Sequence, residues 1–185
     1  MSFELKVFVF LAVSLGPIWL SRKLLLNWRS HGFYRFFAFE SFMILVLLNI
    51  DYWFEKPFSL LQLISWFLFI ITMFIVIHGL LLLRKIGKPN HKRQDQTLIG
   101  IEKTSQLVMI GAYRYIRHPI YSSLIYGSAG VFFKHPSWSS GLMAVITICF
   151  TTITAKIEEA ENIRFFGENY RDYMKRTRMF IPYLF

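Results

Sequence analysis

The chain holds 185 residues, with 21 Lys and Arg against 11 Asp and Glu and a formal net charge of +10. Charged residues are 17% of the total and apolar residues 55%, where an ordinary soluble domain carries roughly 25% charged residues. The 18% aromatic content excludes a disordered chain, and Cys149, the single cysteine, excludes a disulfide scaffold.

Five apolar stretches follow one another along the chain. The first, 3–20, is apolar after Glu4 and Lys6. Its mixed charge, the lack of a small-residue cleavage site and the flank Ser21-Arg22-Lys23 mark a retained span rather than a signal peptide. The second, 36–54, carries Glu40 inside it. An ionisable residue at membrane depth is a functional suspect, with Arg35 as a nearby partner. The third, 58–83, has no Asp, Glu, Lys or Arg and exceeds the roughly 20 residues that span a bilayer as helix. Two shorter runs, 120–133 and 139–155, flank a turn signal at Pro136 and predict a helical hairpin. Their Ser and Thr residues point to contact with protein or ligand rather than lipid.

Arg and Lys alternate with these stretches. The 22–35, 84–118 and post-156 segments hold nearly all of them, whereas the 51–57 and 134–138 connections hold only Lys56 and Lys134. Basic loops stay cytoplasmic, which predicts an N-terminus outside and a C-terminus in the cytoplasm. The small size suits a prokaryotic plasma membrane. A basic chain that binds nucleic acid needs a basic face on a soluble fold. Here the charge sits in loops, where it orients the chain and attracts membrane lipid, so no nucleic-acid partner is expected. No His or Cys cluster has metal-ligand spacing, so no metal is expected.

The expected fold is an all-α integral membrane protein of about five transmembrane helices. It includes the short hairpin and adds a cytoplasmic amphipathic C-terminal helix. Residues 1–83 supply the N-terminal spans. Residues 84–185 supply the chemistry-bearing region of the same single membrane domain.

Two cytoplasmic segments carry the chemistry. In 104–121, TSQLVMIGAYRYIRHPIY, Gly111 permits a turn and Pro119 starts the next helix. Arg117 and His118 then sit at the mouth of the hairpin, among Tyr113, Tyr115 and Tyr121. In 156–182, KIEEAENIRFFGENYRDYMKRTRMFIP, Ile163, Phe166, Tyr170 and Tyr173 fall at helical spacing. Gly167 interrupts this pattern at a cost of about 1 kcal/mol against Ala. Together the segments predict a pocket of carboxylates, tyrosines, an imidazole and a guanidinium. Glu158 and Glu159 have Arg117, His118 or a cationic ligand as partners.

At these residues the sequence resembles the isoprenylcysteine carboxyl methyltransferases and the related membrane phospholipid methyltransferases. The resemblance is carried by YRYIRHPIY, then EEAENIRFFGENYRDY and a closing FIP. It covers roughly 104–182 and implies S-adenosylmethionine as methyl donor, with a lipophilic acceptor arriving from the bilayer. Carried over by motif, the cofactor contacts are Ser105, Gln106, Leu107, Val108, Tyr113, His118, Pro119, Ile120, Tyr121, Glu158 and Glu159. The catalytic candidates are Arg117, His118 and Glu159. The family often has an Arg four residues before the paired glutamates. Thr154 stands there instead, which weakens the isoprenylcysteine assignment more than cofactor binding. The acceptor stays open between an isoprenylcysteine-type carboxylate and a phospholipid-type amine. Two alternatives stand beside this reading. One is an NADPH-dependent reductase, since sterol reductases share the Arg-His-Pro-x-Tyr element. The other is a non-enzymatic membrane protein.

Overall fold

The computed structural model describes residues 1–22, 24–87 and 104–184. Lys23 and the basic loop residues Lys88, Lys92, Arg93 and Lys103 lie outside them. Among the described residues six α-helices follow in order. These are α1 (Phe3–Ser21), α2 (His31–Asn49), α3 (Leu60–Ile86), α4 (Pro119–Phe132), α5 (Trp138–Phe166) and α6 (Glu168–Arg176). Single-turn 3-10 helices occupy Ile50–Tyr52 and Gly111–Arg114. Serine starts four of the α-helices: Ser2, Ser30, Ser59 and Ser137 each accept a backbone N–H of the first turn. Such caps satisfy donors that have no partner inside the helix. Pro119 opens α4, where its missing N–H costs nothing.

Among the described residues three helical stretches are long and apolar enough to cross a membrane: His31–Tyr52, Leu60–Ile86 and Trp138–Phe166. Phe67, Ile70 and Phe74 on α3 and Phe3, Phe8 and Leu15 on α1 lie on the outside, the arrangement of helices solvated by lipid. The 14 residues of α4 reach roughly 21 Å, less than the hydrocarbon thickness. This is the short hairpin arm that the sequence predicts.

Polar contacts set the helix registers. His31 Nδ1 lies 2.7 Å from Glu161 Oε2, and the Thr147 hydroxyl donates to Ser41 Oγ at 3.0 Å. These two contacts run α2 and α5 antiparallel. Ser65 Oγ donates to the Gly130 carbonyl at 2.7 Å and ties α3 to α4. Leu45, Val131 and Ala144 form the core between the helices. Glu40, at mid-depth on α2, accepts a hydrogen bond from Ser14 of α1 at 2.6 Å.

At one end of the bundle the α4–α5 turn is locked by buried Lys134. Its Nζ donates to Gln62 Oε1 at 2.8 Å and sits 3.4 Å from the centre of the Trp66 ring. At the other end α5 runs unbroken out of the bundle. The sequence expects an amphipathic C-terminal helix whose pattern Gly167 interrupts, and the structure makes that interruption a corner between α5 and α6. Gly167 adopts φ 61° and ψ −135°, a backbone region open essentially to glycine. So α5 stops at Phe166, α6 turns away, and an extended strap follows it.

Candidate active site

The strap fastens the 104–121 segment in place. Arg178 N–H donates to the Tyr115 carbonyl at 3.0 Å, and Arg117 N–H donates to the Arg178 carbonyl at 2.8 Å. His118 N–H donates to the Met179 carbonyl at 3.2 Å. Ser122 Oγ adds a bond to the Phe180 carbonyl at 2.8 Å. Phe180, 1% exposed, packs against Tyr121 and Ala155. Gly111, at φ 60°, lets the chain pass over α3, where a Cβ would meet His78 Nε2 at 2.5 Å.

This framework encloses a half-open cleft. Of the residues named from the sequence, Leu107, Val108, Tyr113, Arg117, His118, Ile120, Tyr121 and Glu158 line it. Ser105, Gln106, Pro119 and Glu159 do not border the cleft. Ser105 and Gln106 hydrogen-bond through their backbones to Gly87, and Pro119 packs towards Gly79.

Glu159 stands behind the wall as a keystone. Arg117 Nε donates to its Oε1 at 2.5 Å, with both side chains about nine-tenths buried. His118 Nε2 lies 3.4 Å from the same oxygen. The guanidinium also donates to the Thr177 and Met174 carbonyls at 2.5 and 3.3 Å. Arg117 therefore joins α5 to the end of α6 and to the strap. Thr154 is fully buried, and its hydroxyl donates to the Phe150 carbonyl at 2.7 Å.

Glu158 has a different environment. It is half-buried on the cleft wall, and among the described residues no cation lies within ion-pair distance of it. Tyrosines surround it. Burial, with Glu158's charge close by, pushes the Tyr113 and Tyr170 phenols well above their ordinary value near 10. Burial does the same to Tyr173 against the pull of Arg117. Tyr173 donates its hydroxyl to the Tyr113 carbonyl at 2.7 Å, which joins α6 to the 3-10 turn.

Sequence reasoning did not single out Leu83, Thr104 and Asn162 as cleft residues. Asn162 carried a usable signal. Glu158, Asn162 and Phe166 recur every four residues and share one face of α5, and all three line the cleft.

An all-helical membrane protein with a polar, tyrosine-walled cleft at one end of its bundle is the class that these features define. Residues 63–169 match the family described as phospholipid methyltransferase, and the chain belongs to that family. Among curated proteins, it is 34% identical over 73 residues to methanethiol S-methyltransferase 1 of Bradyrhizobium diazoefficiens, covering 38% of this chain and 24% of that protein. It is 31% identical over 105 residues to protein-S-isoprenylcysteine O-methyltransferase of Rattus norvegicus, covering 55% and 37%. The Mus musculus protein of the same name is 34% identical over 82 residues, covering 44% and 29%. The matched stretches thus span well under half the length of these relatives.

Proposed function

We propose that the chain is a membrane methyltransferase that takes S-adenosylmethionine in the tyrosine-walled cleft and methylates a lipophilic acceptor. The observation that carries this reading is Glu158. A half-buried carboxylate with no cation beside it among the described residues favours a positively charged ligand, and tyrosine faces favour the same. S-adenosylmethionine bears an ammonium and a sulfonium, and when bound it supplies a methyl group activated for transfer. The donor set of the cleft fits it.

In this reading Glu158, Tyr113 and Tyr170 bind the cationic part of the donor. His118, inside the cleft and 5.5 Å from the Tyr121 ring centre, contacts the donor or the acceptor head. Arg117 and Glu159 act through the strap, holding His118 and the cleft wall in position. A carboxylate acceptor needs no proton removed, so alignment and exclusion of water supply most of the rate. An amine acceptor must lose a proton, and His118 is then the base within the cleft.

The acceptor's apolar part has a route from the bilayer. Leu124, one turn beyond Tyr121 on α4, borders an apolar groove with Val13, Phe39 and Phe42 of α1 and α2. We place the chemistry on the cytoplasmic side, because the described basic segments gather at the cleft end of the bundle.

The test is isothermal titration of S-adenosylmethionine into detergent-solubilised protein, with Glu158→Ala in parallel. Micromolar binding, weakened at least tenfold in the variant, supports the reading. Transfer of a radioactive methyl group into a lipid or prenylated-peptide fraction then identifies the acceptor. Folded protein that binds NADPH and not S-adenosylmethionine overturns the proposal.

A further inference from the structure

On the outer side of the strap lies a second cleft, of about 500 Å³, lined by Tyr115, Lys175, Arg176, Thr177, Arg178 and Tyr183. Three cations converge on it. Lys175 has a local partner, Asp172, at 2.8 Å. Among the described residues no acidic side chain lies within ion-pair distance of Arg176 or Arg178. Cations near a helix C-terminus usually serve its unbonded carbonyls. Here part of that task is met by other groups: Arg117 bonds the Met174 carbonyl and that of the cap residue Thr177, and the Thr177 hydroxyl bonds that of Tyr173. Arg176 and Arg178 are left to face the cleft. The Tyr115 and Tyr183 rings stand 6.2 Å apart at its rim, and Leu184 beside them is exposed.

We propose that this cleft binds the phosphate group of an anionic phospholipid. Two guanidinium forks and an ammonium suit phosphate oxygens, because arginine meets them through paired N–H donors. Basic residues beside a membrane attract anionic headgroups. The exposed leucine and the tyrosines give the attached chain and glycerol an apolar rim. Binding here has a structural consequence. Arg178 donates its N–H to Tyr115 and accepts from Arg117 through its carbonyl. A phosphate that fixes the Arg178 side chain braces the strand that carries the cleft's Arg117 and His118.

The site is tested by calorimetric titration of the full chain in uncharged detergent. The probes are dioctanoyl phosphatidylglycerol, inorganic phosphate and dioctanoyl phosphatidylcholine. Arg176→Gln/Arg178→Gln removes the two arginines from exposed positions and leaves the backbone bonds of the strap intact. Lys156→Gln/Arg164→Gln removes the same charge from exposed positions of α5. The expected result is saturable phosphatidylglycerol binding, at least tenfold tighter than phosphatidylcholine. It should weaken at least tenfold in the cleft variant and stay within twofold in the α5 variant. Equal binding of inorganic phosphate with the same variant dependence supports the phosphate site with free phosphate as the source. Inert inorganic phosphate supports the lipid headgroup as the source. Equal losses in the two variants, or no binding to wild type, overturn the proposal. None of these readings needs a methyl donor, so the outcome is separable from the methyltransferase assignment.

Discussion

Glu158 and Glu159 are neighbours in the chain with opposite surroundings. One turns to the cleft and faces tyrosines, and the other turns inward and meets Arg117 and His118. A helix advances about 100° per residue, and that rotation alone separates a cleft-facing carboxylate from one paired behind the wall. Glu158→Gln is therefore expected to weaken donor binding at least tenfold and to leave the thermal midpoint nearly unchanged. Arg117→Ala is expected to do the reverse in order of severity. It leaves Glu159 buried without its main partner, a loss of roughly 3–5 kcal/mol, visible as a lower unfolding midpoint by circular dichroism before any ligand is added. If Arg117→Ala keeps full stability, the keystone role assigned to the pair is wrong.

At the scale of elements, the break at Gly167 decides where the tyrosines go. Nothing lies within 4 Å of a Cβ placed there, so Gly167→Ala introduces backbone strain without a clash. Its expected cost is about 1–3 kcal/mol. The re-angled α6 should also lower ligand affinity, because Tyr170 and Tyr173 move with it. The strap offers a second check. Phe180→Ala, at a site 1% exposed, is expected to cost about 3–5 kcal/mol and to speed amide exchange at Arg117 and His118. Much of this scale was legible in the sequence. The apolar runs and the proline at the start of α4 produce the elements they signal, because each acts locally along the chain. The Gly167 corner was read as a tolerated interruption, since glycine's cost in a helix says nothing of which φ it will adopt. The strap was not legible as such. FIP closes the matched stretch in sequence, and the pairing of Arg178 with Tyr115 and Arg117 spans about sixty residues, beyond any local pattern.

For the whole molecule, the cleft's phenols impose an alkaline limit. Tyr113, Tyr170 and Tyr173 all have raised values in the folded state. Below about pH 10 they are neutral in both folded and unfolded chains and their stabilising contribution is complete. As pH rises beyond 10, the unfolded chain ionises first, and stability falls toward their raised values. Tyrosinate absorbance from these three phenols is expected to appear only as the helical signal is lost. A single titration near pH 10, with helix content intact, would contradict the buried cleft. The fold brings together the two motifs that lie on either side of the hairpin, so that residues of both line one cleft. The division of labour within the site was not legible. Which glutamate faces in and which faces out depends on the rotation of α5 against α2, set by contacts such as Thr147 with Ser41.

The 29 residues of α5 make a rod of roughly 44 Å, longer than the hydrocarbon layer. It carries Thr147 in the bundle and Glu158 in the cleft with no glycine or proline hinge between them. A rod of that kind tilts when the lipid around it thins or thickens, and the tilt reaches the cleft wall, where Arg117 and Phe180 tie the rod to the strap. Lipid chain length thus becomes a mechanical input to the site. Ligand affinity in vesicles of 14-, 18- and 22-carbon lipids should pass through a maximum, at the thickness for which the rod stands as the strap requires.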